Sequence, residues 1–237
     1  MDVSVIIPAY KERAYIGQTL ESVRHQDFRG SREVILVDNG STDGTAHAVR
    51  KNFPWVTVHE ESRRGTNYAR ECGRCKATGE ILAFTDADTR PPRQWLSNGV
   101  RFLRQSDAVA LTGPYLFYDG MPRHQLFAHL QRWIFFPMTR ALVERSGGSL
   151  MFGANMFIKA DALARVGGID TRFTFDGDDV AIAVQLASVG RILYRHDILV
   201  YTSARTFVRN GMVRTIRRQT TAARRVLGNR GLIPAHT

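Results

Sequence analysis

Near the amino terminus stands the run Val3-Ser4-Val5-Ile6-Ile7-Pro8-Ala9-Tyr10. Its first five residues are rich in β-branched side chains, which favour a strand, and the proline indicates where that strand stops. Between residues 15 and 26, the apolar residues Ile16, Leu20 and Val23 recur at helical spacing. This part of the chain therefore predicts a buried strand followed by a helix.

The same strand–helix unit recurs along the first half of the chain. Further strands are predicted at 34–37, 56–58 and 81–85, and helices at 45–52, at 67–77 and from about residue 91. Such alternation predicts an α/β fold in which helices cover both faces of a mostly parallel sheet. Beyond residue 108 the pattern is less regular. It predicts one long strand at 108–118, helices at 125–143 and 178–188, and a hairpin of short strands at 191–201.

Length and composition indicate one globular unit. The chain has 237 residues, of which 43% are hydrophobic and 23% charged, enough to bury a continuous core. No apolar run reaches the roughly 20 residues that span a bilayer, and the first residues lack the features of a signal peptide. The two cysteines, Cys72 and Cys75, fit a reducing compartment and are interpreted as packing or surface thiols. We therefore expect a cytoplasmic protein.

Positive charge is concentrated at the carboxyl-terminal end. The formal net charge is +11, and residues 198–237 contain eight arginines and neither Asp nor Glu. Such a segment could face nucleic acid, anionic lipid or a phosphorylated substrate, and charge alone does not choose among them.

Polar residues follow three of the predicted strands, at the sheet edge where open α/β sheets bind ligands. These segments are 8–12, 38–44 and Asp86-Ala87-Asp88. Neither a G-x-G-x-x-G turn nor a G-x-x-x-x-G-K-[ST] loop is present to hold phosphate through backbone amides. Two carboxylates separated by one residue suggest instead a cation that bridges protein and phosphate oxygens, although a capped turn is the alternative.

Several blocks together resemble a known family. They are the opening run, Val37-Asp38-Asn39-Gly40-Ser41-Thr42-Asp43-Gly44-Thr45, Arg64-Gly65 with Ala69-Arg70, Phe84-Thr85-Asp86-Ala87-Asp88, Gly153-Ala154-Asn155-Met156, Val166-Gly167-Gly168-Ile169-Asp170 and Asp176-Gly177-Asp178-Asp179. In order and spacing they closely resemble family 2 glycosyltransferases of the GT-A fold, over roughly residues 3 to 205. The resemblance implies a Rossmann-like GT-A catalytic domain at 1–205. Its nucleotide-binding half would be 1–107, its acceptor and catalytic-base half 108–205, and a basic helical tail would follow at 206–237.

The resemblance also implies roles for individual residues on the donor side. Pro8, Ala9, Tyr10 and Glu12 would line the nucleoside pocket. Asp38 would accept a hydrogen bond from the base or ribose, which favours uracil and leaves guanine as the alternative; a turn-capping role is the competing interpretation. Gly65 and Arg70 would belong to the nucleotide-sugar site, unless Arg70 is a solvated helix residue. Arg205 would help to hold the diphosphate.

The resemblance also implies a metal site and a general base. By resemblance, Asp88 would ligate Mn²⁺ or Mg²⁺, while Asp86 would contact ribose or a metal-bound water. Asp179 would be the general base, with Asp178 in place of the family's usual Glu. Two carboxylates at a helix start would repel each other and raise one pKa, although simple capping is the alternative. Direct displacement needs only one such base and inverts the anomeric centre.

The resulting prediction is an inverting, metal-dependent glycosyltransferase that adds a single sugar. A UDP-sugar is the favoured donor, a GDP-sugar the second, and the acceptor a saccharide or a lipid-linked molecule. The Arg-rich tail suits an anionic membrane surface, on the inner face of the cell membrane. The apolar segment 126–143 is interpreted as core, with membrane contact as the alternative. Competing hypotheses are a basic nucleic-acid-binding module, a nucleotidyltransferase, and a nucleotide-binding homologue without turnover.

Overall fold

The computed structural model describes residues 1–145 and 147–229 and has a mixed α/β architecture. Its strands are β1 (Val3–Ala9), β2 (Arg32–Asp38), β3 (Thr57–Glu60), β4 (Ile81–Phe84), β5 (Ala110–Thr112), β6 (Tyr115–Phe117), β7 (Met156–Lys159), β8 (Ile192–Tyr194) and β9 (Val200–Thr202). Seven of them form one sheet in the order β3-β2-β1-β4-β7-β5-β8. Only β7 runs antiparallel to its neighbours in that sheet. The predicted mostly parallel sheet is therefore confirmed.

Helices cover both faces of this sheet, as predicted. They are α1 (Ile16–Arg24), α2 (Thr45–Asn52), α3 (Thr66–Lys76), α4 (Trp95–Arg104), α5 (Pro122–Leu130), α6 (Phe136–Glu144), α7 (Ala160–Arg165), α8 (Asp178–Ala187), α9 (Arg205–Asn210) and α10 (Met212–Asn229). Strand β1 shows the two faces directly. Val5 and Ile7 join a core cluster with α1 and α4, whereas Ile6, between them, joins a cluster with α7 and α8. Both faces of the sheet are thus covered by apolar side chains at β1, which explains the continuous apolar run of this strand.

The predicted single strand at 108–118 is wrong. Residues 110–112 and 115–117 are separate strands, and they belong to different sheets, because β6 pairs with β9 in a two-stranded parallel sheet. Gly113 and Pro114 separate them. The backbone of Ile198 comes so close that a Cβ on Gly113 would lie 1.9 Å from its carbonyl oxygen, and Pro114 has no N–H for a ladder.

The predicted hairpin at 191–201 is also wrong. Strand β8 pairs with β5 in the main sheet, while β9 pairs with β6. The antiparallel strand β7 was not predicted at all. It inserts between β4 and β5, which lie far from it along the chain.

The predicted helix at 125–143 is present as α5, a π-helical turn at Gln131–Phe135, and α6. Pro137 explains the wide turn, because proline cannot donate to the carbonyl four residues earlier and its ring collides with that carbonyl. Phe136 and Val143 are buried, yet six large apolar side chains on the same helix are exposed. The core interpretation is therefore wrong for the outward side of this helix.

Within the predicted tail 206–237, the described residues are helical in α9 and α10, and residues 230–237 lie outside the described part. Helix α10 packs on α8 and contributes Val226 and Leu227 to a cluster with Phe136 and Val180. Among residues 1–145 and 147–229, no helix is long and apolar enough to cross a membrane. The proposed division at residues 107 and 205 stays a prediction; strands from both predicted halves share the main sheet.

Candidate functional site

The predicted donor-side residues meet at one edge of the sheet. Pro8 and Ala9 end β1, and Ala9 pairs in register with Asp38, the last residue of β2. Asp86 and Asp88 follow β4, the other neighbour of β1. Because these three strands are parallel, their carboxyl ends bring the predicted nucleoside and metal residues to the same side of the molecule.

Asp38 has one occupied and one open carboxylate oxygen. Its side chain is 4% exposed, and Oδ2 accepts the backbone N–H of Ser41 at 3.0 Å. Oδ1 is buried and has no hydrogen-bond partner among the described residues. The turn-capping interpretation therefore accounts for only half of this carboxylate, and an unpartnered buried acceptor is costly unless a ligand donates to it.

Tyr10 presents an aromatic surface at the end of β1. Its ring is 38% exposed and is covered on one face by the Arg64 guanidinium, which lies 3.2 Å from the ring centroid. The next residue, Lys11, has a φ of 56°, in the left-handed region that non-glycine residues seldom adopt. The Arg64 hydrogen bond and the nearby positive charges lower the pKa of Tyr10 against a smaller opposing effect of burial.

Glu12, Arg205 and Asp88 form a half-buried chain of ion pairs. The Arg205 guanidinium donates to Glu12 Oε1, and its Nε lies 3.0 Å from Asp88 Oδ2. Thr202 also donates to Asp88, at 3.4 Å. Burial raises the pKa of Glu12 and of Asp88, and Arg205 opposes both shifts. Arg205 therefore contacts the predicted metal ligand directly.

Arg70 is the second internal cation, and it is 2% exposed. Its guanidinium pairs with Asp178 and lies 3.4 Å from Asp86. The interpretation of Arg70 as a solvated helix arginine is therefore wrong. Burial raises the pKa of Asp86 to about 6, in part offset by Arg70 and reinforced by the charges of Asp88 and Asp178. One guanidinium thus joins the end of β4 to the start of α8.

Asp178 and Asp179 open helix α8, as predicted. Asp179 Oδ2 accepts the backbone N–H of Gly153 at 3.3 Å, and Oδ1 accepts that of Val180 at 2.8 Å. Burial, followed by repulsion from Asp178, raises the pKa of Asp179 to about 7, while Arg70 opposes this. Asp178 takes the ion pair with Arg70, so Asp179 has the raised pKa that suits a general base near neutral pH.

Gly65 lies at the start of α3, where a loop from the second half of the chain crosses it. Its φ is 145°, and a Cβ there would lie 2.6 Å from Cβ of Thr174. Its N–H donates to Asn39 Oδ1 at 2.8 Å, and the neighbouring Thr66 N–H donates to the Thr174 carbonyl at 2.8 Å. Gly65 therefore permits close packing of two loops, and its predicted contact with the donor stays a prediction.

The charge balance of the site fits a divalent cation. Arg70 and Arg205 face five carboxylates, those of Glu12, Asp86, Asp88, Asp178 and Asp179, so negative charge is in excess. Yet within the described part of the chain no three His, Cys, Asp or Glu side chains could hold a metal among themselves. Carboxylate oxygens are hard ligands of the kind that Mn²⁺ and Mg²⁺ accept, so Asp88 and Asp86 fit such an ion when phosphate or water oxygens complete its coordination.

Three residues of this site were missed from the sequence. Asn67 is fully buried; its amide donates to the backbone carbonyls of Asp170 and Asp178, at 3.1 and 3.3 Å, and holds the start of α8. Its spacing of three from Arg70 on one helix could have indicated a shared face. Arg64 and Gly153 stand in blocks that resemble the family, but no role was predicted for them, because their partners Tyr10 and Asp179 lie in other parts of the chain.

Two curated proteins are similar to this chain over most of its length. Glycosyltransferase AglE of Haloferax volcanii is 30% identical over 219 residues, which cover 86% of this chain and 68% of AglE. The glucosyl-dolichyl phosphate glucuronosyltransferase of the same organism is 28% identical over 191 residues, covering 75% of this chain and 59% of that protein. The chain thus spans only part of the length of these relatives.

A solved structure shows the same fold. Mannosyltransferase PcManGT from Pyrobaculum calidifontis, in complex with GDP-Man and Mn²⁺, aligns with a TM-score of 0.74 and 26% identity. The alignment covers 99% of this chain and 65% of PcManGT, and it confirms the predicted GT-A fold. The model of a family described as Glycosyl transferase family 2 matches residues 4–167, well over half of the sequence. The chain therefore belongs to glycosyl transferase family 2.

Proposed function

We propose that the chain is an inverting, metal-dependent glycosyltransferase that moves one sugar from a nucleotide-sugar donor to a saccharide or lipid-linked acceptor. The observation that carries this proposal is the buried Arg70 guanidinium, which contacts both Asp86 and Asp178. A single side chain thereby joins the donor-side carboxylate to the helix end that bears Asp179. Direct displacement needs this proximity, because the leaving diphosphate and the attacking hydroxyl lie on opposite sides of one sugar carbon.

On the donor side, Asp38 and Tyr10 bind the nucleoside, next to Pro8 and Ala9. The open Oδ1 of Asp38 supports this, since it can accept the imide N–H of uracil. Guanine offers ring and amino donors to the same oxygen, and GDP-Man in PcManGT supports that second choice. UDP-sugars remain the favoured donors, and GDP-sugars are the alternative. The exposed Tyr10 ring offers a face for stacking of the base.

The transfer step uses Asp179 as the base. Its carboxylate takes the proton of the acceptor hydroxyl as that oxygen bonds to the anomeric carbon, and the bond from this carbon to the diphosphate oxygen breaks on the opposite face. The configuration at the anomeric carbon inverts, and the reaction needs no second carboxylate. A divalent cation held by Asp88 and Asp86 would supply charge stabilisation to the departing nucleoside diphosphate. Arg205 adds a positive charge beside the same group.

A lipid-linked acceptor and peripheral membrane attachment are part of the proposal. The printed name of one relative, a glucosyl-dolichyl phosphate glucuronosyltransferase, contains a lipid carrier. In this chain, residues 198–237 carry eight arginines without an acidic residue, and anionic headgroups attract such a segment.

The decisive experiment is a thermal-shift panel of UDP, GDP, CDP and their sugars, with and without Mn²⁺. We expect stabilisation by one nucleoside diphosphate that increases with Mn²⁺, and loss of the Mn²⁺ effect in Asp88→Ala. Asp179→Asn serves as the matched control, because it should keep donor binding and lose transfer. If no nucleotide raises the melting temperature, the proposed function fails. Salt-sensitive nucleic-acid binding that survives Asp88→Ala would favour the nucleic-acid hypothesis instead.

A further inference from the structure

The helix formed by α5, the π-helical turn and α6 carries a row of apolar residues on its outward side. Every fourth residue from 126 to 142 is apolar, and with the exception of Leu130 each is well exposed. The row, called the apolar stripe below, consists of Leu126 (62% exposed), Leu130, Ile134 (44%), Met138 (67%) and Leu142 (65%). At 1.5 Å per residue it is about 24 Å long. Trp133 and Phe135 flank it, 57% and 47% exposed.

The apolar stripe is held in place by the rest of the fold. Ala128, Phe136 and Val143, on the inward side of the same helix, are all at most 5% exposed. Trp133 stacks on His196 at a centroid distance of 4.4 Å, which fixes its ring at the surface. A continuous exposed apolar surface on a rigid element indicates an interaction site, because soluble proteins seldom leave one uncovered.

A positively charged helix packs against the helix that carries the apolar stripe. Helix α10 shares one hydrophobic cluster with α5, through Met212 and Ile216, and another with α6, through Val226 and Leu227. It has no acidic residue. Four of its arginines are exposed and form no ion pair within residues 1–145 and 147–229: Arg214, Arg217, Arg224 and Arg225.

We propose that the apolar stripe and the arginines of α10 together dock the protein on an anionic lipid bilayer. Apolar side chains beside tryptophan and unpaired arginines are the composition of interfacial helices, which insert a few ångströms below the headgroups. A second copy of the chain is a poorer occupant. Each copy carries a net charge of +11, so two such surfaces would repel each other.

A series of ring contacts leads from the apolar stripe to the catalytic side. Trp133 stacks on His196, His196 contacts Tyr194, Tyr194 contacts Phe136, and Phe136 stacks on Phe152 at 4.0 Å. Gly153, the next residue, donates its N–H to Asp179. A lipid-linked acceptor anchored at the bilayer would thus have its sugar end close to the base. Bilayer docking deepens the membrane attachment proposed above, and this last step rests in addition on the proposed sugar transfer.

The test is flotation of the full chain with phosphatidylcholine vesicles, with and without phosphatidylglycerol, at low and high salt. We expect binding only to the anionic vesicles, weakened by salt. The variant Ile134→Gln/Met138→Gln/Leu142→Gln should lower the partition coefficient on the order of tenfold or more, because three large apolar side chains no longer insert. Thr139→Gln/Ala141→Gln, at exposed positions of the same helix, is the matched control and should bind as the wild type does.

Trp133 provides a second measurement that needs no stripe variant. Its fluorescence should shift to the blue on addition of anionic vesicles, and Trp133→Phe should remove that change while binding persists. Absence of binding to anionic vesicles would overturn the proposal. So would binding that the triple variant leaves unchanged, or a wild-type dimer in light scattering that this variant converts to a monomer. A preserved thermal shift with nucleotide in every variant separates failure of docking from failure of the proposed function.

Discussion

Replacing Asp179 with asparagine should stabilise the protein while removing its activity. The pKa of this carboxyl is raised from 3.8 to about 7, so keeping it ionised in the fold costs at most about 4 kcal/mol, at 1.36 kcal/mol per pH unit. The pKa of Asp179 is higher in the folded than in the unfolded chain. The fold is therefore most stable with respect to this group below about pH 4, and it loses that stability as the pH rises through 7. Partial exposure and solvent screening reduce the effect, and we expect a gain of about 1 to 2 kcal/mol at pH 8.

The measurement is thermal unfolding at pH 8 and pH 5 without divalent metal. At pH 8 the melting temperature of Asp179→Asn should exceed that of the wild type by about 2 to 8 °C. At pH 5 the difference should fall to less than half of that, because only the unfolded chain is then still ionised at this position. Release of nucleoside diphosphate from the donor should fall about 10² to 10⁴-fold, as expected when a general base is lost. In the wild type, the same release should decline as the pH falls through 7, because protonated Asp179 cannot accept a proton.

Asp178→Asn is the matched control, since it makes the same chemical change one residue away. Asp178 makes the direct ion pair with Arg70, so its neutralisation leaves this buried guanidinium with the more distant Asp86, at 3.4 Å, and the charge of Asp179. We expect a loss of about 2 to 4 kcal/mol, the opposite sign to that for Asp179→Asn. If both variants change stability in the same direction at pH 8, or if Asp179→Asn keeps wild-type turnover, the assignment of distinct roles to these two aspartates is refuted.

Three further substitutions test other parts of the site. Gly65→Ala should lower the free energy of unfolding in urea by about 1 to 3 kcal/mol, because the new Cβ would lie 2.6 Å from Cβ of Thr174. Gly147→Ala is the control: this glycine also has a positive φ, but a Cβ there would meet nothing within 4 Å. Arg70→Met should lower the melting temperature more at pH 8 than at pH 5, since its carboxylate partners are then left ionised without a cation. Arg205→Gln should raise the affinity for Mn²⁺ measured by calorimetry, because a competing cation leaves Asp88, and Arg205→Lys should not; weaker Mn²⁺ binding by Arg205→Gln would contradict this.

The first half of the fold could be predicted because its signals are local. A parallel strand buried on both faces appears as a continuous apolar run, and the helix after it shows its own period, as in 3–9 and 16–24. Helix 45–52 is present with the predicted bounds. Boundaries elsewhere in this half moved by one to four residues, and the largest shift is the start of α4, at Trp95 instead of about residue 91. Strand β1 continues through Pro8, although the run was expected to stop there.

The second half of the fold could not be predicted in the same way, because its strands form only through pairing with distant parts of the chain. The segment at 156–159 becomes a strand by inserting between β4 and β5, and nothing in four residues indicates partners so distant along the chain. Residues 108–118 read as one apolar strand, yet the close approach of Ile198 to Gly113 divides them. Local propensity was overruled by tertiary contact in both places.

For the site, the sequence predicted which residues gather and left their contacts open. The resemblance placed Asp38, Asp86, Asp88 and Asp179 together, and strand direction explains why the first three share an edge. It could not indicate that Arg70 would form ion pairs with Asp178 and Asp86. Nor could it indicate the Arg205 contacts, because those depend on where the chain returns after β9. The binding roles of these residues stay predictions until nucleotide binding is measured.

The arrangement around α10 has a consequence for how docking and catalysis relate. Gly177, the residue before Asp178, packs so closely on α10 that a Cβ would lie 3.2 Å from the Ala222 carbonyl oxygen. Arg218 of the same helix pairs with Asp176 at 3.1 Å. The helix that carries unpaired arginines toward the proposed bilayer therefore also supports the turn that positions the base. A change in the seating of α10 on lipid would reach Asp179 through one layer of contacts, so anionic vesicles should alter turnover as well as location.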